Sequence, residues 1–229
     1  PPVGKGALYV RPLLMGSGPV LGVAPAPSYT FLVYATPVGP YFKGGVTAID
    51  LLISEEHHRA APGGSGGVKA IGNYAPGMMP SKKAKAAGFS EVIYLDAETH
   101  SYIEEVGAAN FFCLKDGKLY TPELTGTILP GITRDSILSA AKDLGYKTEE
   151  VMLSIDDWRE GVTSGDISEI FACGTAAVVS PVGQAKSALG TWVTGDGQPG
   201  PITMQIRNHL LAIQHGTTPD KHGWVKRVI

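Results

Sequence analysis

The stretch G63-GSGGVKAIGNYAP-G77 carries one lysine, Lys69, among glycines and small or apolar residues. An ordinary surface lysine sits among polar neighbours with its ammonium in water. A lysine on a Gly-rich turn can be approached closely by a ligand, and partial desolvation there would loosen its proton. Those are the properties of an amine that forms a Schiff base. The plainer reading is a Gly-rich loop with an incidental lysine, because such loops are common turn chemistry. The rest of the chain has to decide between the two.

Composition sets the bounds. The chain has 229 residues, 43% hydrophobic and 17% charged, so it can bury a sizeable core and is not disordered. A net charge of −2, with no extended Lys/Arg run, excludes an electrostatic footprint for nucleic acid. No apolar run approaches the roughly 20 residues of a membrane span, and no signal peptide is recognisable. Cys113 and Cys173 are too few for a disulfide framework and suggest a reducing compartment. Neither has a second Cys or a His at metal-ligand spacing, so no metal site is expected. The start, "PPVGKG" without Met, points to a processed or truncated product.

Strands are expected over "GALYVRPLLMG" and "YTFLVYATPVG", then "VTAIDLLISEE", "EVIYLD" and "SYIEEVGAANFFCLKDGKLYTP", with Asp116-Gly117 as a hairpin turn. "EIFACGTAAVVSPV" reads as a buried strand interrupted by a small-residue turn. Helices are expected over "PSKKAKAAGF", "ITRDSILSAAKDLGY", "SIDDWREGV" with Ser154 as N-cap, and "PITMQIRNHLLAIQHG". Strands and helices mix without strict alternation, which predicts an α+β fold. Residues 1–38 read as the C-terminal part of a small domain whose beginning is missing. Residues 39–49, opening on "GPYFKGG", read as a linker, and 50–229 as a large domain.

Three further segments could meet Lys69. "LPGITRDS" puts Gly131, Ile132 and Thr133 at a loop-to-helix junction, where free N–H groups and the helix dipole suit a phosphate; plain N-capping by Thr133 is the alternative. "YIEEVGAAN" places two adjacent carboxylates on a strand, so they point to opposite faces. One is expected in solvent and the other inward, facing either a protonated pyridine nitrogen or an arginine. The "GTA" turn of "ACGTAAVVS" offers N–H groups to an anion, or is a bulge without a ligand. An amine, a pyridinium partner and anion cradles are together what pyridoxal phosphate requires.

"GGVKAIGNYAPG", "YIEEVGAAN", "LPGITRDS" and "FACGTAAVVSPV", in that order, resemble the branched-chain amino acid aminotransferases, pyridoxal 5'-phosphate enzymes of the D-amino-acid-aminotransferase-like fold. The resemblance runs from "LYVRPLLMG" to "GWV", nearly the whole chain. It implies that Lys69 forms the Schiff base and shuttles the proton. It implies that Tyr74 bonds the cofactor's phenolic oxygen and that Glu105, in the family's E-x-G-x-x-N pattern with Asn110, holds the pyridine nitrogen. It assigns the phosphate to Ile132, Thr133 and Thr175, with Arg59 also near it. The substrate carboxylate goes to the turn Gly174, Thr175 and Ala176, and the pocket lining from the small domain to Tyr9 and Arg11. The CxxC pair of mammalian members is absent, its positions being Ala177 and Ser180.

The implied reaction is ping-pong transfer of the amino group of leucine, isoleucine or valine to 2-oxoglutarate, giving branched 2-oxo acids and glutamate. A homodimer is expected, with no nucleic acid or membrane partner. A plant-like source would place it in plastid or mitochondrion, a bacterial one in the cytoplasm. Alternatives are a D-amino-acid aminotransferase or aminodeoxychorismate lyase relative, and a non-catalytic interaction subunit that kept the fold.

Overall fold

The computed structural model describes residues 1, 6–39, 41–42 and 44–227. Pro40 and Lys43, within the expected linker, lie outside the described residues. The chain divides into two compact units, residues 1–44 and 45–229.

The first unit is an antiparallel hairpin of β1 (Ala7–Ser17) and β2 (Ser28–Val38), in register from Ala7↔Val38 to Ser17↔Ser28. Val, Leu, Tyr and Phe favour the extended backbone. The same residues leave an apolar surface on both faces: Leu8, Val10, Leu14, Phe31 and Val33 are exposed on one, and Leu13, Met15 and Tyr34 on the other.

In the second unit the elements run β3 (Ile49–Ile53), α1 (Ala75–Ala86), β4 (Glu91–Leu95), β5 (Ile103–Val106), β6 (Ala109–Lys115), β7 (Lys118–Pro122), α2 (Ile132–Asp143), β8 (Lys147–Val151), α3 (Ile155–Ser164), β9 (Ile167–Gly174), β10 (Val178–Ser187), β11 (Gly190–Val193) and α4 (Pro201–Gln214). The order β10-β3-β4-β5-β6 is closed by β9, which pairs with both β6 and β10, so six strands form a barrel-like ring. β7-β8 and β11 extend it at either side. The mixed pairing bears out the α+β expectation.

Closure and the flanking helices bury the central strands on both faces. Phe111 and Phe112 are neighbours in sequence and both fully buried. Phe111 packs on Trp158 of α3, ring centroids 5.3 Å apart, and Phe112 stacks on Phe171 at 5.0 Å. The two rings belong to separate cores, one built with Trp158 and Trp192, the other with Ile137 of α2 and Ile206 and Leu210 of α4. Each ring removes roughly 150–250 Å² from water.

Several expectations are corrected. α1 begins at Ala75, five residues before the expected start, because Pro76 sits in its first turn, where its fixed φ suits a helix and its missing N–H costs nothing. The expected interrupted strand at 169–182 is an antiparallel hairpin of β9 and β10. β8, "KTEEV", was not anticipated; its side chains are exposed or half-buried, so it lacks an apolar alternation. β11 is too short to stand out. Ser154 caps α3 as expected, its Oγ accepting from Asp157 N–H at 2.9 Å.

Candidate active site

The lysine loop lies flat on the segment after β7. Gly67 N–H donates to Gly126 C=O at 2.8 Å. A Cβ on Gly66 would stand 2.2 Å from the Thr127 carbonyl oxygen, so only glycine permits this approach. Asn73 staples the loop from the short 3₁₀ turn at Ile71–Tyr74. Its Nδ2 donates to the carbonyls of Ser65 (2.6 Å) and Val68 (2.8 Å), and its Oδ1 accepts from Ser65 Oγ at 2.6 Å.

Lys69 is thereby held at the mouth of a cavity that it lines with Arg59, Tyr74, Tyr94, Ala108 and Leu129. Its Nζ stands 5.8 Å from the Tyr74 ring centroid. Contrary to the expected partial desolvation, Lys69 is exposed: the loop lifts it outward, and its neighbours Val68 and Ile71 are exposed as well. Tyr94 is buried beneath, its hydroxyl pushed up to about 12 by burial and by Glu91.

Both carboxylates of β5 are buried, Glu104 at 5% exposure and Glu105 at 2%. This corrects the expectation that one of them is solvated; the strand is covered on both faces, so neither side of it meets water. Glu105 Oε1 accepts from Asn110 Nδ2 and Leu129 N–H, both at 3.1 Å. Its Oε2 forms an ion pair with Arg59 Nε and has no further donor among the described residues. Burial pushes Glu105 up to about 7, against the pull of Arg59 and the Leu129 N–H. Glu104 is raised in the same way by burial.

Arg59, expected beside a phosphate, meets a carboxylate and a main-chain carbonyl of the protein. Its Nε serves Glu105 and its Nη1 donates to Thr127 C=O at 2.9 Å. A guanidinium that lines the cavity at 10% side-chain exposure is stable there because a carboxylate neutralises it.

The expected anion cradles stand beside the cavity without lining it. α2 opens at Gly131 with no side-chain cap, so Thr133 is not its N-cap, and Ile132 is exposed. The turn Thr175-Ala176-Ala177 ends in Val178 at φ +63°, with Val179 N–H donating back to Ala177 C=O at 2.8 Å. That is a strained conformation for a β-branched residue. Asn110 ties these segments to the carboxylate. It pairs with Glu105 on β5 and Cys173 on β9. Its Nδ2 also donates to Leu129 C=O at 2.9 Å. A Cβ on Gly131 would fall 2.2 Å from its Oδ1. Gly174 packs near Ala108 and Ala109.

Lys69, Tyr74 and Arg59 therefore share one cavity, with Glu105 directly behind Arg59. Ile132, Thr133, Gly174, Thr175 and Ala176 sit one layer away. Tyr9 and Arg11 lie on the 1–44 hairpin, where the Arg11 guanidinium donates to the Tyr9 hydroxyl and stands 5.1 Å from its ring centroid. Sequence reasoning missed the binding roles of Asn73, Thr127 and Leu129. Asn73 carried a signal, an Asn beside Gly in "IGNY". Thr127 and Leu129 act partly through their main chains, which leave no trace in side-chain type.

The site thus sets an amine on a Gly-rich loop, with a buried carboxylate behind it, on a barrel-like α+β sheet. Residues 3–185 match the amino-transferase class IV family, and the chain belongs to that family. Within it, the chain is 46% identical over 229 residues to the branched-chain-amino-acid aminotransferase of Mycobacterium tuberculosis (strain ATCC 25618 / H37Rv), covering 98% of this chain and 62% of that protein. It is 48% identical over 224 residues to the branched-chain-amino-acid aminotransferase 5, chloroplastic, of Arabidopsis thaliana, covering 98% and 52%. The T.th. branched-chain amino acid aminotransferase, solved in complex with N-(5'-phosphopyridoxyl)-L-glutamate, superposes with a TM-score of 0.81 at 32% identity, covering 96% of this chain and 68% of that one. The chain thus spans about 62% of the length of its mycobacterial relative.

Proposed function

We propose that this chain carries the cofactor-binding part of a pyridoxal-phosphate-dependent transaminase that moves the amino group of leucine, isoleucine or valine to 2-oxoglutarate. The observation that carries this reading is Lys69, an exposed amine sharing one cavity with Tyr74 and Arg59, with the buried Glu105 carboxylate behind it. The names of the relatives support the substrate class, and the phosphopyridoxyl-glutamate complex of the solved relative supports both the cofactor and glutamate as an amino donor.

The residues fit the cofactor. Lys69 would supply the amine for its aldehyde, and Tyr74, which lines the same cavity, is assigned to its phenolic oxygen. Glu105 Oε2 is paired with Arg59 Nε and has no further donor among the described residues, which leaves a lone pair suited to a protonated ring nitrogen. The uncapped start of α2 at Ile132 and Thr133, with the Thr175 turn, is assigned to the phosphate, and Gly174–Ala176 to the substrate carboxylate. When bound, pyridoxal phosphate supplies an aldehyde that condenses with amines and a ring that accepts the electron pair left when the α-proton departs.

The protein's own tasks follow. Lys69 Nζ would carry the α-proton of the amino acid to the carbon that bore the aldehyde, and would carry a proton the opposite way in the second half-reaction, when 2-oxoglutarate collects the amino group. Glu105 keeps the ring nitrogen protonated, and Asn110 with the Leu129 N–H holds Glu105 in orientation. Residues 1–38 are assigned to a small domain, 39–49 to the linker and 50–229 to the large domain. We assign a homodimer, supported by the exposed apolar residues Val68, Ile71, Met78 and Met79 around the lysine. A plant source would place the protein in the plastid and a bacterial one in the cytoplasm.

The test uses the intact protein. Pyridoxal phosphate and borohydride should leave a reduced adduct on the Lys69 peptide, and leucine with 2-oxoglutarate should give glutamate. An adduct elsewhere, or none, would refute the reading.

A further inference from the structure

Two carboxylates stand buried side by side on β5, and the function proposed above uses only Glu105. Glu104 Oε1 accepts the Thr127 hydroxyl, while its Oε2 has no partner among the described residues. Thr127 is itself 2% exposed, and its hydroxyl also meets Thr125 Oγ1 at 2.9 Å. Its carbonyl accepts from Arg59 Nη1 at 2.9 Å, and Arg59 Nε reaches Glu105. Glu104, Thr127, Arg59 and Glu105 form one continuous buried path.

Arginine has a flexible stem, so its plane is set by the acceptors at its two ends. One end here is Glu105. The other is the carbonyl of Thr127, within the irregular segment between Pro122 and Ile132. Such a segment has no strand or helix to fix its carbonyls. The Thr127 side chain, held by Glu104, does so instead. The same carbonyl is the surface on which Gly66 of the lysine loop rests. One threonine therefore locates both the cation that meets Glu105 and the loop that presents Lys69.

We propose that Glu104 and Thr127 are positioning residues that fix the Thr127 carbonyl, and through it Arg59 against Glu105 and the Lys69 loop against the barrel. This rests on the cofactor role assigned to Lys69 and Glu105. Neither Glu104 nor Thr127 lines the lysine's cavity.

The experiment reads the Arg59 Nε–Hε resonance by NMR without cofactor, and the Kd for pyridoxal phosphate by visible absorbance. Thr127→Val is expected to shift that resonance, speed its exchange with water and raise the Kd about tenfold, the loss of roughly one buried hydrogen bond. Thr127→Ser should restore both to within about twofold. Glu104→Gln should leave both nearly unchanged, because the amide oxygen still accepts from Thr127; Glu104→Leu should reproduce the Thr127→Val result and stands in if that variant does not fold. An unshifted resonance with a Kd within twofold in Thr127→Val, or no rescue by serine, overturns the proposal. A wild-type protein that binds no pyridoxal phosphate would overturn the cofactor reading instead, and the Arg59 resonance would still decide the positioning.

Discussion

Glu105→Gln should change how stability depends on pH before it changes anything else. The ordinary value for this carboxyl is 4.5 and in the fold it stands at about 7. At about 1.4 kcal/mol per pH decade, that gap corresponds to roughly 3 kcal/mol. The folded chain holds this proton more tightly than the unfolded chain. The contribution is therefore full below pH 4.5 and is lost as pH rises through about 7. Glutamine cannot ionise, so the variant should lack this loss.

The substitution carries its own penalty. Glu105 Oε1 takes two donors, Asn110 Nδ2 and Leu129 N–H, so the amide oxygen of glutamine belongs there. Its NH₂ then faces Arg59 Nε, donor against donor, at a cost of about 1–3 kcal/mol. At pH 5 the variant should be less stable than wild type by that amount, and near pH 8 the two should be close. Urea unfolding at four or five pH values, without added cofactor, measures this directly. Parallel curves from pH 5 to 8 would refute the reasoning, because Glu105 would then not titrate in that window. Cofactor affinity should fall about ten- to a hundredfold in the same variant, the loss of one charged hydrogen bond.

Lys69→Ala should remove the borohydride adduct and all amino transfer, yet leave the unfolding midpoint nearly unchanged, since the side chain is exposed; circular dichroism melts and peptide mass mapping check both. Asn73→Ala removes three hydrogen bonds from the lysine loop. It should cost about 1–3 kcal/mol, seen as faster amide exchange across residues 65–70 and a lower adduct yield. Cys113 and Cys173 are both 1% exposed, and burial pushes Cys113 up to about 12 and Cys173 up as well. A thiol reagent should therefore label neither in the native protein and both in urea; rapid native labelling of either would contradict their burial.

Much of this site could be seen in the residue string because its parts are local. Lys69, its glycines and Tyr74 lie within one turn of chain, and Glu105 and Asn110 lie on one tight hairpin. What could not be seen depends on distant segments. The chain after β7 lies over β5, where Thr127 bonds Glu104, and that is why Glu104 is buried and not solvated. It is a non-local fact with no periodic signature. The pairing of Arg59 with Glu105 is hidden for a related reason. The distance of Arg59 along the chain from Lys69 says that it is near, while the direction of its guanidinium is set by Thr127, 68 residues away.

The choice between the two glutamates turns on register. Side chains alternate along a strand, so a slip of one residue in β5 would exchange them. The register is set by the Gly107-Ala108 turn, which pairs Val106 with Ala109 and Glu105 with Asn110, and both turn residues line the lysine's cavity. Asn110 makes that register count: its amide donates to Glu105 while its strand also pairs with β9. A slip in the other direction would place Val106 opposite Asn110 and strip Arg59 of its carboxylate, leaving a buried guanidinium unpaired at several kcal/mol. The ion pair and the hairpin therefore enforce one another. The same contacts that select the fold's register also select which carboxylate stands behind Lys69.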